Sequence, residues 1–349
     1  MKAITIEPGR PKSLQLESIG EPPPGDGSVL VETIAVGICG TDREIVAGLY
    51  GTAPPGKTRL ALGHESLGRV LSAPDDSGFS PGDLVVAIVR RPDPVPCEAC
   101  AVGEWDMCRN GRYTEHGIKG LDGFCRERFR VNVPFLVPVD RALGICGVLM
   151  EPASIVAKAW DQIQRISSRS RWTPHTVLVL GAGPIGLLAA LFATLRGFDV
   201  HVLDRATAGP KPDLVHDLGA TYHTGPVAEA CSGIDVVLEC TGSPRLVFDA
   251  MRCAAPTGLV CLTGVTSGHR NVTVDAAMLN NELVLGNNVV FGTVNANRLH
   301  YTQAADALQR SNGGWLRRLI TRQVPIASWS DAYDRKPDDI KAILQFANL

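Results

Sequence analysis

The spacing of hydrophobic positions changes partway along this chain. Up to about residue 150 they fall in short β-branched runs: "SVLVETIAVG" at 28–37, "LGRVLSA" at 67–73, "DLVVAIV" at 83–89 and "FRVNVPFLVPV" at 129–139. Turn sequences such as "PPPGDG" and "DDSGFSPGD" separate them. Short strands punctuated by Gly and Pro predict a β-barrel-like domain. From about residue 175 the pattern alternates between strand and helix. "TVLVL" reads as an apolar strand, "PIGLLAALFATLRG" as a helix ended by Gly197, "DVHVL" and "IDVVLECTG" as further strands. "SPRLVFDAMRCAAPTG" reads as a helix with Ser243 as N-cap, Pro244 at its first position and Gly258 after its end. "LVCLTGV" and "VVFGTV" complete the set, and such alternation predicts a parallel sheet wrapped by helices.

Composition narrows the function classes. At 349 residues the chain is too long for one ordinary core and predicts two domains. Its 45% hydrophobic and 20% charged content is that of a globular protein. The formal net charge is -2 and the basic residues are scattered, which argues against nucleic acid or an anionic membrane as a partner. No run approaches the roughly 20 apolar residues of a membrane span, and the N-terminus lacks the apolar core of a signal peptide. Ten cysteines are too sparse for a disulfide scaffold, so reduced thiols in a cytoplasmic protein are expected.

Two stretches carry chemistry. "GAGPIG" places Gly181, Gly183 and Gly186 directly between a predicted strand and a predicted helix. There Gly181 permits the tight turn, Gly183 a close approach to a pyrophosphate, and Gly186 close packing of helix on strand. Pro184 and Ile185 open the helix, whose free N–H groups favour phosphate. Asp204, at the end of the next predicted strand, stands where a carboxylate accepts hydrogen bonds from an adenosine ribose. The second stretch pairs "VGICGTD" with "LALGHE". A catalytic zinc needs about three protein ligands and an open position. Cys39, His64 and, far along the chain, Glu151 of "VLMEPASIVAKAW" offer a thiolate, an imidazole and a carboxylate, each of which could equally serve a structural role.

In their order along the chain, "GICGTD", "GHE", "PGDLVV", the cysteine cluster near residue 100, "EP" at 151 and "GAGPIG" resemble the zinc-dependent medium-chain alcohol dehydrogenase family. "VRRPDP", "YTEHGIKGLDGF" and "FGTVNANRLHY" are similar to its glucose dehydrogenase branch. The resemblance implies a GroES-like, β-rich catalytic domain at 1–160, a Rossmann coenzyme domain at 161–296, and a segment at 297–349 returning to the catalytic domain. It also implies a homodimer or homotetramer. The expected reaction is hydride transfer from a sugar hydroxyl, C1 of a glucose-like aldose, to NAD(P). Another polyol, cyclitol or aminocyclitol is the alternative, and a non-catalytic nucleotide-binding relative a third.

By the same resemblance Cys39, His64 and Glu151 match ligands of a catalytic zinc, with Glu65 in the coordination shell or just behind it. Thr41 would begin a proton relay. Cys97, Cys100 and Cys108 match three of four ligands of a structural zinc; Pro94 stands at the first position, leaving Asp93 or Cys125 as the fourth, or a lobe without metal. Glu115 matches a glutamate that binds sugar hydroxyls, with pairing to an arginine such as Arg112 as the plainer reading. Asn297 and His300 are expected near the substrate and Asn295 near the nicotinamide. Asp204 favours NAD, while the adjacent Arg205 leaves room for NADP.

Overall fold

The structure, a computed structural model, describes residues 1–230, 232–265 and 271–349. Its contacts divide the chain into two compact units, Met1–Ser154 with Asn295–Leu349, and Ile155–Val294. The first dividing point falls between Ser154 and Ile155, a few residues before the expected 160 and, like it, inside the helix Met150–Ser167. Sequence periodicity cannot mark where a continuous helix passes from one core to another. The whole of this helix lies within Arg141–Ser167, a segment apolar and long enough to span a membrane, but 78% of its most apolar window is buried within the protein. That is the mark of a core helix.

The first unit is built on a seven-stranded sheet. Its order is Leu136–Pro138, Leu84–Ala87, Glu65–Ser72, Val29–Ile38, Lys341–Gln345 and Ile320–Pro325, and Arg128–Val131 also pairs with Val29–Ile38. The long strand Val29–Ile38 is therefore the hub. It carries Glu65–Ser72 on one side, with Gly37 opposite Glu65, and Lys341–Gln345 on the other, with Ile343 opposite Gly37. A smaller sheet joins Arg90–Arg91, Thr114–His116 and Gly120–Leu121. Val29 and Val31, and beyond the register shift between Thr33 and Ala35 also Val36, pack with Ile4, Leu60, Phe124 and Phe129 in one core. Fully burying a side chain of this size contributes about 1.5–3 kcal/mol.

The second unit is a doubly wound sheet of six parallel strands in the order Thr221–His223, Asp199–Leu203, Thr176–Leu180, Ile234–Glu239, Ala254–Leu262 and Val289–Gly292. Leu187, Leu188, Leu191 and Phe192 of the helix Pro184–Thr194 are buried. One expected element is divided differently. The helix after Ser243 stops at Cys253, and Ala254 already begins a strand that pairs with Ile234. The residues up to Gly258 therefore belong to the sheet, because Ala254 finds a strand partner that local helix signals could not reveal.

Candidate active site

The strand Val29–Ile38 delivers the chain to Cys39, which caps the helix Gly40–Val46. The Cys39 Sγ accepts the Thr41 amide at 3.3 Å, and the Asp42 carboxylate accepts the Cys39 amide at 2.9 Å. This reciprocal cap fixes the direction of the thiol. Asp42 Oδ1 then lies 3.4 Å from His64 Nδ1, an ion-pair contact in which neither buried atom has a hydrogen-bond partner among the described residues. The ligand atoms of Cys39, His64 and Glu65 all lie within 4.8 Å of one another.

Glu65 does not stand alone there. Lys341 Nζ donates to its two oxygens at 2.6 and 2.7 Å, although the residues are 276 positions apart. The ion pair spans the hub strand at Gly37, where an added Cβ would come within 2.0 Å of Glu65 Oε2. A residue without a side chain is needed for that close approach. Burial works against the Lys341 ammonium, but Glu65 outweighs it and holds the pKa above its ordinary value. Glu151 is buried beside this group but outside the three-ligand cluster, and no described residue donates a hydrogen bond to its carboxylate. Burial first, and then Glu65, push its pKa up to about 7 against the opposing pull of His64. For His64 burial favours the neutral ring, yet Asp42 and Cys39 prevail and raise its pKa well above the ordinary value. A thiol, an imidazole and several carboxylates thus converge on one place that draws positive charge to itself. That donor set fits a zinc ion, which binds Cys, His and carboxylate ligands.

The cysteine lobe is a different case. The Sγ atoms of Cys97, Cys100 and Cys108 lie within 4.8 Å of one another. The Arg109 amide, donating to Cys97 Sγ at 3.4 Å, leads the contacts that lower its pKa to about 6, whereas burial raises Cys100 to about 11. Neither suggested fourth ligand joins them. The Asp93 carboxylate accepts Val95 N at 2.8 Å, Asn110 Nδ2 at 2.9 Å and Arg112 Nε at 3.1 Å. Cys125 is fully buried in the main core, 3.8 Å from the Tyr333 hydroxyl. Among the described residues the lobe offers three ligands and not the four of a closed structural zinc site.

The residues expected to meet the substrate lie in one buried network. Glu115 Oε1 accepts Arg90 Nε at 3.1 Å, Arg90 Nη2 at 3.0 Å and Asn295 Nδ2 at 2.7 Å. Its arginine partner is Arg90 rather than Arg112, which pairs with Asp93. Asn297 caps the helix Arg298–Gln309 through Leu299 N at 3.0 Å and donates to Asp106 Oδ1 at 2.8 Å. His300 Nδ1 accepts the Asn297 amide at 3.2 Å and the residue is 1% exposed. Asn297 and His300 thus direct these polar atoms into the fold. Sequence reading missed Arg90, Asp106 and Lys341; the apposition of "VRRPDP" with "YTEHG" across a strand pair was the only available signal for Arg90.

In the second unit Gly181 adopts φ +101°, and a Cβ at Gly186 would fall 1.7 Å from the Gly181 carbonyl oxygen, so no other residue fits that turn. A Cβ at Gly183 would meet nothing within 4 Å, which leaves the start of the helix Pro184–Thr194, with Ile185 in its first turn, open to a phosphate group. Asp204 is more committed than its position suggested. Its carboxylate accepts Ala182 N at 2.8 Å and Ala206 N at 3.0 Å, and Lys211 Nζ lies 3.2 Å from both oxygens. Arg205 beside it is exposed.

The family of glucose dehydrogenase C-termini matches residues 144–346, and that of alcohol dehydrogenase GroES-like domains matches residues 25–141. Glucose 1-dehydrogenase of Methanocella arvoryzae is 38% identical over 99% of both chains, and that of Thermoproteus tenax 40% identical over 99% of both. The chain belongs to the zinc-dependent medium-chain alcohol dehydrogenase family, in its glucose dehydrogenase branch. A glucose dehydrogenase of Haloferax mediterranei, solved in complex with NADP, Zn and gluconolactone, superposes on this dehydrogenase with a TM-score of 0.92, 32% identity and complete coverage of both chains. Galactitol-1-phosphate dehydrogenase of Escherichia coli, 22% identical with a TM-score of 0.80, shares the fold.

Proposed function

We propose that this dehydrogenase oxidises the C1 hydroxyl of a glucose-like aldose to the lactone, with NADP or NAD as hydride acceptor. The observation that carries the reading is the Cys39, His64 and Glu65 cluster, with Glu151 buried beside it, in a chain that matches the Haloferax enzyme over its whole length. Gluconolactone is what C1 oxidation of glucose yields.

Cys39, His64 and Glu151 would hold the zinc, with Glu65 behind them. One thiolate and one carboxylate neutralise a divalent cation, while Glu65 is already balanced by Lys341. When bound, zinc supplies Lewis acidity toward the substrate hydroxyl and the nicotinamide supplies the hydride acceptor. The protein's own groups do the rest. Thr41, whose amide is tied to the Cys39 sulfur, offers the first hydroxyl on a path for the departing proton. Glu115 accepts a hydrogen bond from a sugar hydroxyl. Gly183 and the helix after it take the pyrophosphate. Lys211 offsets the Asp204 charge that would repel a 2′-phosphate, and Arg205 adds a second cation, so we infer use of NADP as well as NAD rather than a strict preference for NAD. Reduced thiols at all nine described cysteines suit a cytoplasmic enzyme, and a homodimer or homotetramer goes with the same reading.

Turnover of a panel of aldoses, polyols and cyclitols, followed by absorbance of the reduced nicotinamide, tests this directly. We expect glucose-like aldoses to lead, and zinc removal to abolish turnover while dinucleotide binding persists. Full activity without bound zinc, or oxidation of cyclitols alone, would refute it.

A further inference from the structure

Arg90 stands opposite Glu115 in the antiparallel pair of Arg90–Arg91 with Thr114–His116. Both residues are buried, at 4% and 5% exposure. The guanidinium spends Nε and Nη2 on one oxygen of Glu115, Oε1, and donates from Nη1 to the Asp106 carbonyl at 3.1 Å. Its carbon centre lies 3.6 Å from the Tyr113 ring centroid, and the same ring carries Lys119 Nζ at 4.0 Å. With Asn295 added, Oε1 receives three donors, whereas Oε2 receives none from the described residues.

A glutamate side chain ends in a torsion with a broad, two-fold preference, so its two oxygens ordinarily exchange places with ease. Here a planar fork saturates one oxygen, and the fork is itself fixed at its third nitrogen and stacked on an aromatic face. We propose that Arg90, clamped by Tyr113 and Asp106, is a positioning residue that makes Glu115 a one-acceptor reader of a single sugar hydroxyl, and so sets which sugar is accepted. The inference rests on the aldose dehydrogenase reading above. A site built to bond one hydroxyl rejects the analogue lacking it, because the buried acceptor is then left unpaired. A lysine cannot substitute: its ammonium is a point charge with no fork to hold the carboxylate plane.

The test is kcat/KM for glucose and for its 2-, 3-, 4- and 6-deoxy analogues in the holoenzyme. The wild-type enzyme should reject one deoxy sugar most strongly. Arg90→Lys should cut that rejection by about tenfold or more, the least expected for disturbing a hydrogen bond to a charged group. The effect should fall on that hydroxyl alone, through KM, with kcat and NADP affinity little changed. In a Glu115→Gln background the same substitution should add almost nothing. Tyr113→Leu keeps both charges and should move the same deoxy sugar in the same direction, which covers the case where Arg90→Lys does not fold. An equal loss for every sugar, or a lowered Tm with unaltered discrimination, overturns the role of Arg90 while leaving the dehydrogenase reading intact. A wild-type enzyme that oxidises no aldose overturns both.

Discussion

The pair of Lys341 with Glu65 offers a quantitative test of how the site is held. Both side chains are almost fully buried, at 2% and 3% exposure, and the ammonium touches both carboxylate oxygens and the Ile38 carbonyl at 3.4 Å. Lys341→Met would leave the Glu65 carboxylate without its cation, next to Glu151 and Cys39. Removing one partner of a buried pair costs about 3–5 kcal/mol. For a unit of this size each kcal/mol lowers Tm by roughly 2–4 °C, so the metal-free variant should melt about 6–20 °C below the wild type. The double variant Glu65→Leu/Lys341→Met removes both charges and should recover most of that loss. Zinc should stabilise the single variant more than it stabilises the wild type, because the freed carboxylate gains a new cation. Differential scanning calorimetry of the metal-free and zinc-loaded forms reads all three comparisons. A Tm change below about 2 °C for Lys341→Met, or additive losses in the double variant, would refute the claim that this contact is a tightly coupled buried pair.

Two further outcomes follow from the same geometry. In metal-free protein Glu151 and His64 both titrate above their unfolded values, so the folded state holds more protons and stability falls as pH rises. For Glu151, between 4.5 and about 7, the loss is on the order of 3 kcal/mol; Tm of the metal-free protein should therefore drop from pH 5 to pH 8, Glu151→Gln should flatten the slope, and a flat wild-type profile would contradict the burial of this group. Lys211→Ala removes a cation beside Asp204, and titration should show NADP affinity falling about tenfold or more, with NAD changed far less; equal losses would mean that Lys211 only supports the fold.

Short-range patterns were enough to mark the parallel sheet, the glycine turn and the cysteine that ends the hub strand. Each depends on residues within a few positions of one another, where backbone sterics and capping act directly. "GAGPIG" is of this kind: Gly186 is required by the carbonyl of Gly181, five residues earlier. The candidate ligands Cys39 and His64 could be picked out because their motifs are local, although nothing local says that they meet. Tertiary structure decided every partner choice. Strand register, not residue type, matched Glu115 with Arg90 and left Arg112 to Asp93. Lys341 reaches Glu65 because their two strands flank Val29–Ile38 at a glycine, a proximity that separation along the chain hides. Folding also drew Cys125 into the core and away from the cysteine lobe, and turned Asn297 into a helix cap. Asp204 was visible at its strand end, but its charge balance was set only when the helix starting at Pro210 placed Lys211 against it. A side chain's identity is local, whereas its electrostatic environment is the sum of what folding brings within a few ångströms.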